Sequence, residues 1–351
     1  MDPRDQSDAA SLPAIPLIEC GQAGPAGLAA AAPERLREIV RHGARKYRHG
    51  MLAIGDQLSE YWLVRNDNPY LEDLYAVAGT TYGLTGIFML NLSYEWSCAT
   101  AMGADPEGDG NRMLRTLDWP LDGLGRDVVV ARFEGEEGTY DAVTWPGFVG
   151  VATAMAPGRF SAAINQPPMR KWTPSCWFDW AVNRIRLWRE DALPPVHLLR
   201  QVFEQCRDYA EAKEILSGTP LAMPAFFSLS GLDPDECCLI ERTEDEASVI
   251  DGPRAVANHW QYLSVPGRYR GHDSLGRLEN MNRQYRTAPG DFGWVQPPIL
   301  NSTTRLAVVA NATLGVLKVM GLERTLDDVF PGAEQATRVY ETKTPHRAAA
   351  E

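Results

Sequence analysis

Cys98, Arg115 and Asp118 are the residues whose types and spacing point to chemistry. Cys98 stands in "NLSYEWSCATAMG", at the junction of an apolar stretch and a run of small residues. Arg115 and Asp118 follow in "NRMLRTLDW", three positions apart. A thiol beside a guanidinium has a lowered pKa and attacks carbonyl carbon more readily. A carboxylate nearby can orient a base or an amine. In a regular strand, positions three apart face opposite sides. Trp119-Pro120 ends the strand at Asp118, where a turning chain lets both side chains reach one site. Asn165 in "AAINQPP" and Asn258 in "VANHW" each end a predicted strand, a place where an amide can donate to an oxyanion. A second reading of the same residues stands beside this one. Cysteine is among the most buried residue types, an Arg–Asp pair is ordinarily an edge ion pair of small worth, and asparagine at a strand end is ordinarily a turn residue.

The elements that must hold these residues are legible in outline. Residues 1–29 are rich in Pro, Gly and Ala and are expected to be irregular. From Ala32, "APERLREIVRHGARKYRHGMLAIGDQLSEYW" has helical periodicity, with Leu36, Ile39 and Val40 on one face. "NPYLEDLYAVAGTTYG", with Asn68 as N-cap and Pro69 at the first position, and "LTGIFMLNLSYEW" continue as helices. Residues 30–97 therefore form a helical unit. Short β-rich runs punctuated by Gly, Asp and Pro begin at Cys98. "CWFDWAVNRIRLW", "PPVHLLRQVFEQC" and "YAEAKEILSG" read as helices, the last closed by a Gly. Strands return with "FFSLSG", "ECCLIERT", "EASVIDG" and "RAVANHW". A helix over "SLGRLENMNRQYRTA" and a hairpin of "RLAVVAN" with "LGVLKVMG" complete a unit spanning 98–335, and 336–351 is a polar tail. This order fits an α+β fold of two stacked sheets flanked by helices.

Composition narrows the function classes. The chain has 351 residues and a formal net charge of -12, which argues against a nucleic-acid partner. Its six cysteines include no CxxC pair, so neither a metal site nor a disulfide framework is expected. No cofactor is implied. No run approaches 18 apolar residues and no signal-peptide pattern opens the sequence, so a cytoplasmic location is expected.

The segments "NLSYEWSCATAM", "RTLDW", "WPGFVGVATAMAPGRFSAAINQ" and "ANHW" together resemble the acid ceramidase and N-acylethanolamine-hydrolysing acid amidase family. These are cysteine N-terminal-nucleophile hydrolases, grouped with choloylglycine hydrolases and penicillin acylases. The resemblance spans about residues 80 to 320. It implies an αββα sandwich of mostly antiparallel sheets with 30–97 as a prosegment, and self-cleavage between Ser97 and Cys98 into two chains of one precursor. It also implies linear N-acyl amides as substrates. Cys98 is then the nucleophile, and its freed α-amine, with a pKa near 8, serves as its base. Arg115 and Asp118 position thiol and amine, Asn258 and Asn165 hold the oxyanion, and Arg277 matches the family's late arginine. Gln166 stands where ceramidase-like members have Glu, and His259 where they have Tyr. With these two, Met169, Trp172 and Trp119 are expected to line the substrate pocket. Some contact with a membrane surface is compatible with a lipid substrate.

Other readings are acyl transfer to an amine, a scaffold of the same fold that never matures, and a papain-like Cys-His protease. The last lacks the expected local signature around "CATAMG".

Overall fold

The computed structural model describes residues 11–81, 86–325 and 332–342. In chain order, β1 (Leu17–Gly21) leads to five helices: α1 (Gly24–Ala31), α2 (Pro33–Tyr47), α3 (His49–Arg65), α4 (Leu71–Gly79) and α5 (Ile87–Asn91). The hairpin β2 (Ser97–Ala104) and β3 (Asn111–Asp118) follows, then α6 (Leu124–Asp127). Next come β4 (Val129–Gly135), β5 (Gly138–Thr144), β6 (Thr153–Ala156), β7 (Phe160–Asn165) and β8 (Met169–Arg170). After α7 (Cys176–Leu187), α8 (Pro195–Gln205) and α9 (Tyr209–Gly218) come β9 (Ala225–Ser230), β10 (Cys237–Arg242), β11 (Ala247–Asp251), β12 (Arg254–Val256) and β13 (Gly267–Arg268). The described chain ends with α10 (Ser274–Gln284), β14 (Thr304–Asn311), β15 (Val316–Arg324), β16 (Ala333–Gln335) and β17 (Tyr340–Glu341).

Two sheets stack. The first runs β1-β4-β5-β6-β7-β9-β10-β11 and the second β12-β2-β3-β14-β15-β16, with β17 also on β15. All pairings are antiparallel except β1 with β4. Strand alternation sends Cys98, Met102, Met113 and Leu117 into the inter-sheet core, onto which Met155 and Ala163 of the first sheet also face. The alternate residues Ala99, Ala101 and Leu114 pack outward against Met281 of α10. Small side chains there let α10 lie close to the strand. Val202 and Phe203 of α8 and Leu216 of α9 bury against the other sheet's outer face. The layers are helix, sheet, sheet, helix, which is the αββα sandwich expected.

Four local expectations need correction. Residues 1–29 are not irregular throughout, because β1 extends the first sheet and Pro25 starts α1. The long helix from Ala32 breaks at Arg48, whose φ is 61°. The break lets α2 bury Leu36, Ile39 and Val40 while α3 buries Leu52, Trp62 and Leu63 at a different azimuth. Asn68 does not cap a helix starting at Pro69. Its Oδ1 accepts from Tyr70 N at 3.0 Å, closing a turn before α4. The helix over "LTGIFMLNLSYEW" stops at Asn91. That side chain donates to Ile87 O (2.9 Å) and Gly147 O (2.8 Å) and accepts from Val149 N (2.7 Å), tying the helix end to the 147–149 loop. The chain is thereby released into an extended approach to Ser97. The part of the polar tail beyond 342 lies outside the described residues.

Candidate active site

Cys98 lies near the start of a strand and is fully buried. In the β2–β3 register Ser97 pairs with Asp118, Cys98 with Leu117 and Thr100 with Arg115. Cys98 and Arg115 thus share the inner face, one step apart on the diagonal, and Asp118 projects from the outer face. The alternation rule holds to the strand's end. Asp118 does not swing round to meet Arg115, as expected from the Trp119-Pro120 turn, but reaches the cysteine through Arg277.

On the inner face Arg115 Nη2 donates to Cys98 Sγ at 3.3 Å and to Ile164 O at 2.9 Å. Its Nη1 donates to Asn165 Oδ1 at 3.1 Å and Thr100 Oγ1 at 3.4 Å. The thiol in turn donates to Ile164 O at 3.6 Å. On the outer face Arg277 Nη1 donates to Cys98 O and to Asp118 Oδ2, each at 2.9 Å, and Nη2 donates to Asn258 Oδ1 at 2.8 Å. Asn258 Oδ1 also accepts from Cys98 N at 2.9 Å. Sulfur, nitrogen and carbonyl oxygen of one residue are therefore each held by a separate polar side chain. Arg115, Asn165, Asn258 and Arg277 are all fully buried. Clustering this much charge inside a domain is costly unless each group is paired. Ser97 Oγ donates to Asp118 Oδ2 at 3.3 Å.

The electrostatics differ from the sequence expectation. Burial pushes the Cys98 thiol up, to about 11, and the nearby Arg115 and Arg277 offset only part of that. Burial likewise lowers the pKa of Arg115, with the thiol and Asp118 opposing. In the uncut chain the sulfur is held as a neutral thiol.

Asn165 also takes a different part from the one expected. Arg115 can donate only to an oxygen, which fixes the orientation of the Asn165 amide. Both its N–H groups then go to main-chain carbonyls, Val256 O at 3.3 Å and Ala257 O at 3.2 Å. It has no hydrogen left for an oxyanion and instead orients Arg115. Asn258 Nδ2 donates to Gln166 O at 2.7 Å and keeps a second N–H.

The expected pocket residues separate. Gln166 and Met169 line a cavity of about 110 Å³ with Tyr94, Arg184 and Arg270. Trp172 lies outside that cavity, 43% exposed, with the Arg186 guanidinium 4.9 Å from its ring centroid. Trp119 sits in a buried stack between Trp96 and Trp145 and faces a small apolar cavity beside Leu36 and Ile87. Its large ring is held by the helical prefix and is not at a mouth. His259 Nδ1 meets Ser274 Oγ at 2.8 Å, and Ser274 Oγ accepts from Asn258 N at 2.9 Å. The histidine thus braces the main chain at Asn258.

Sequence reading missed Thr100, Ser274 and Gly271. Thr100 carried a signal, since it lies two residues from Cys98 and so on the same strand face. Gly271 has φ +70°, and a Cβ there would overlap Ser97 Oγ and the Arg277 guanidinium. Nothing in "YRGHDS" alone marks it. Among the described residues no helix is long and apolar enough to cross a membrane.

The chain is similar in sequence to acid ceramidases. It is 28% identical to that of Bos taurus over 221 residues, 57% of this chain and 53% of that protein. The Homo sapiens enzyme is 31% identical over 214 residues, 56% and 53%. The probable acid ceramidase of Caenorhabditis elegans is 26% identical over 288 residues, 71% and 68%. The chain spans about half the length of the mammalian relatives. No protein-family model matches it. Among solved structures, a Caenorhabditis elegans N-acylethanolamine-hydrolyzing acid amidase ortholog aligns with a TM-score of 0.48 and 18% identity, over 61% of this chain and 93% of that one.

Proposed function

We propose that this chain, a relative of the acid ceramidases, is a cysteine amidohydrolase that cuts itself before Cys98 and then hydrolyses linear N-acyl amides. The observation that carries this reading is the grip on Cys98: sulfur to Arg115, nitrogen to Asn258 and carbonyl to Arg277. A residue that merely fills a core has no use for three buried polar partners.

In the first step Cys98 Sγ attacks the Ser97 carbonyl carbon and the thiol proton passes to the departing Cys98 nitrogen. The Ser97–Cys98 amide is replaced by a thioester. Water then cleaves the thioester, leaving a carboxylate on Ser97 and a free α-amine on Cys98. Asn258 Oδ1 already accepts from that nitrogen, so the new amine is oriented as it forms. Withdrawal of the 92–97 segment admits water, which removes the burial that holds the thiol pKa up. The amine, with a pKa near 8, takes the thiol proton at neutral pH.

In turnover the thiolate attacks the substrate amide carbonyl, the amine product leaves with a proton, and water hydrolyses the resulting thioester. The spare N–H of Asn258 serves the oxyanion. Arg115 holds the sulfur, and Asn165 holds Arg115.

Incubating the cut protein with a panel of N-acyl ethanolamides and N-acyl amino acids tests this reading. Release of free acid by wild type and none by Cys98→Ala is expected. Wild-type rates in Cys98→Ala would refute it.

A further inference from the structure

Beside the cysteine lies a concentration of polar groups that the proposed chemistry leaves unused. They line the cavity of about 110 Å³ that includes Gln166. The Gln166 carbonyl accepts from Asn258, so this cavity lies one residue from the anchor of Cys98 nitrogen. Two buried donors on its wall, Gln166 Nε2 and Arg270 Nε, have no hydrogen-bond partner among the described residues. Gln166 is 2% exposed. Buried donors without acceptors are rare in folded proteins, and two on one wall point to a ligand that brings acceptors.

The charge on this wall is lopsided. Arg170, Arg184 and Arg270 face a single carboxylate, Glu244, and Arg170 takes it at 3.2 Å. Arg270 donates to Tyr94 O at 2.9 Å, and its Nε has no partner. Arg184 lies over the Trp180 ring at 5.5 Å, and none of its N–H groups makes a hydrogen bond among the described residues. Glu95 acts electrostatically on both guanidiniums but its carboxylate accepts from the Tyr47 hydroxyl. Burial pushes the Arg270 pKa down to about 10 and lowers that of Arg184, and Glu95 offsets only part of this in each. Two guanidiniums that make no direct ion pair among the described residues, with the orphan Gln166 Nε2, form a receptor for the oxygens of an anion.

A second cavity, of about 800 Å³, shares Leu92, Trp180, Arg184 and Leu187 with the first. Its wall carries Met51, Ile54 and Leu58 and suits an acyl chain. We infer that the Arg184–Arg270 cavity binds a carboxylate, and that the substrate is an N-acyl amino acid whose acyl chain occupies the adjoining apolar cavity. The assignment as substrate rests on the amide hydrolysis proposed above; the carboxylate site itself does not.

N-lauroylglycine and its neutral isostere N-lauroylglycinamide separate the possibilities. Both are titrated calorimetrically against the full chain, and their initial hydrolysis rates are measured on the cut protein. Wild type is expected to favour the glycine conjugate at least tenfold in Kd and in kcat/KM. In Arg184→Met and in Arg270→Met that ratio collapses toward one. A ratio near one in wild type, binding of neither compound, or a preference untouched in both variants would overturn the inference. Hydrolysis of both compounds at equal kcat/KM keeps the amidase reading and removes the carboxylate site. Tighter, arginine-dependent binding of the glycine conjugate without hydrolysis does the reverse.

Discussion

Cys98 and Cys206 are both fully buried thiols with an arginine close by. Burial pushes both pKa values up, to about 11 and about 12. Their surroundings differ in what the guanidinium touches. Arg159 donates to the carbonyls of Phe203 (3.2 Å) and Cys206 (2.7 Å), capping the C-terminal end of α8 and ignoring the sulfur. Arg115 donates to the Cys98 sulfur itself, and Asn258 and Arg277 take the nitrogen and oxygen of the same residue. An arginine near a buried thiol therefore does not by itself separate the two. What separates them is a set of polar groups on the sulfur, nitrogen and carbonyl of Cys98.

Substitution of the two cysteines should show the largest difference. Cys98→Ala is expected to lower amide hydrolysis by at least ~10³-fold. Cys206→Ala should leave the rate within about twofold and cost about 1 kcal/mol in stability. Comparable losses in both would erase the distinction. The two arginine anchors offer a sharper comparison by chemical denaturation. Arg277→Met strands the Asp118 carboxylate, which is fully buried and has no other cationic hydrogen-bond partner among the described residues. It should destabilise the chain by about 3–5 kcal/mol. Arg159→Met strands only carbonyls and should cost about 1–3 kcal/mol. Equal losses would mean that the Asp118–Arg277 pair carries no special burden.

The Cys206 end should also show its own pH dependence. His197, on the same helix, is fully buried, and neither ring nitrogen has a hydrogen-bond partner among the described residues. Burial, with Arg200 adding to it, holds its pKa down to about 3. The unfolded chain takes up this proton near pH 6.5, whereas the folded chain does not until about pH 3. Stability is therefore present above pH 6.5 and is lost as pH falls toward 3, at most by about 1.4 kcal/mol per pH unit. Thermal melts across that range should show a shallower decline in His197→Phe, whose ring retains the edge contact with Tyr70. An unchanged slope would place the acid sensitivity elsewhere.

The layers of the fold were legible because strand alternation and helical periodicity are written along the chain. "SCATAMGA" encodes a strand with a core face and a small-residue face, and α10 is found on the small-residue face. Cys98, Arg115, Asp118 and Asn258 were legible as chemistry-bearing types at strand ends. The roles of Asn165 and Asp118 were not. Asn165 orients Arg115 because the carbonyls of Val256 and Ala257, some 90 residues away in sequence, occupy both its N–H groups. Asp118 acts through Arg277, a residue on a helix 159 positions further on. The thiol's raised pKa was hidden for a similar reason. An adjacent guanidinium can be read from spacing, but complete burial between the sheets is a property of the packed chain. Trp119 lies in a buried aromatic stack and Trp172 outside the Gln166 cavity, positions not written in the sequence because neither aromatic type nor position along the chain tells which side a ring is drawn to.

The central claim is that Cys98 is built to become an N-terminus, and intact mass of the purified chain over time tests it most directly. Wild type should divide between Ser97 and Cys98 into pieces of 97 and 254 residues, while Cys98→Ala stays whole. A wild-type chain that remains whole across pH 4 to 8, or a Cys98→Ala chain cut at the same bond, would contradict it.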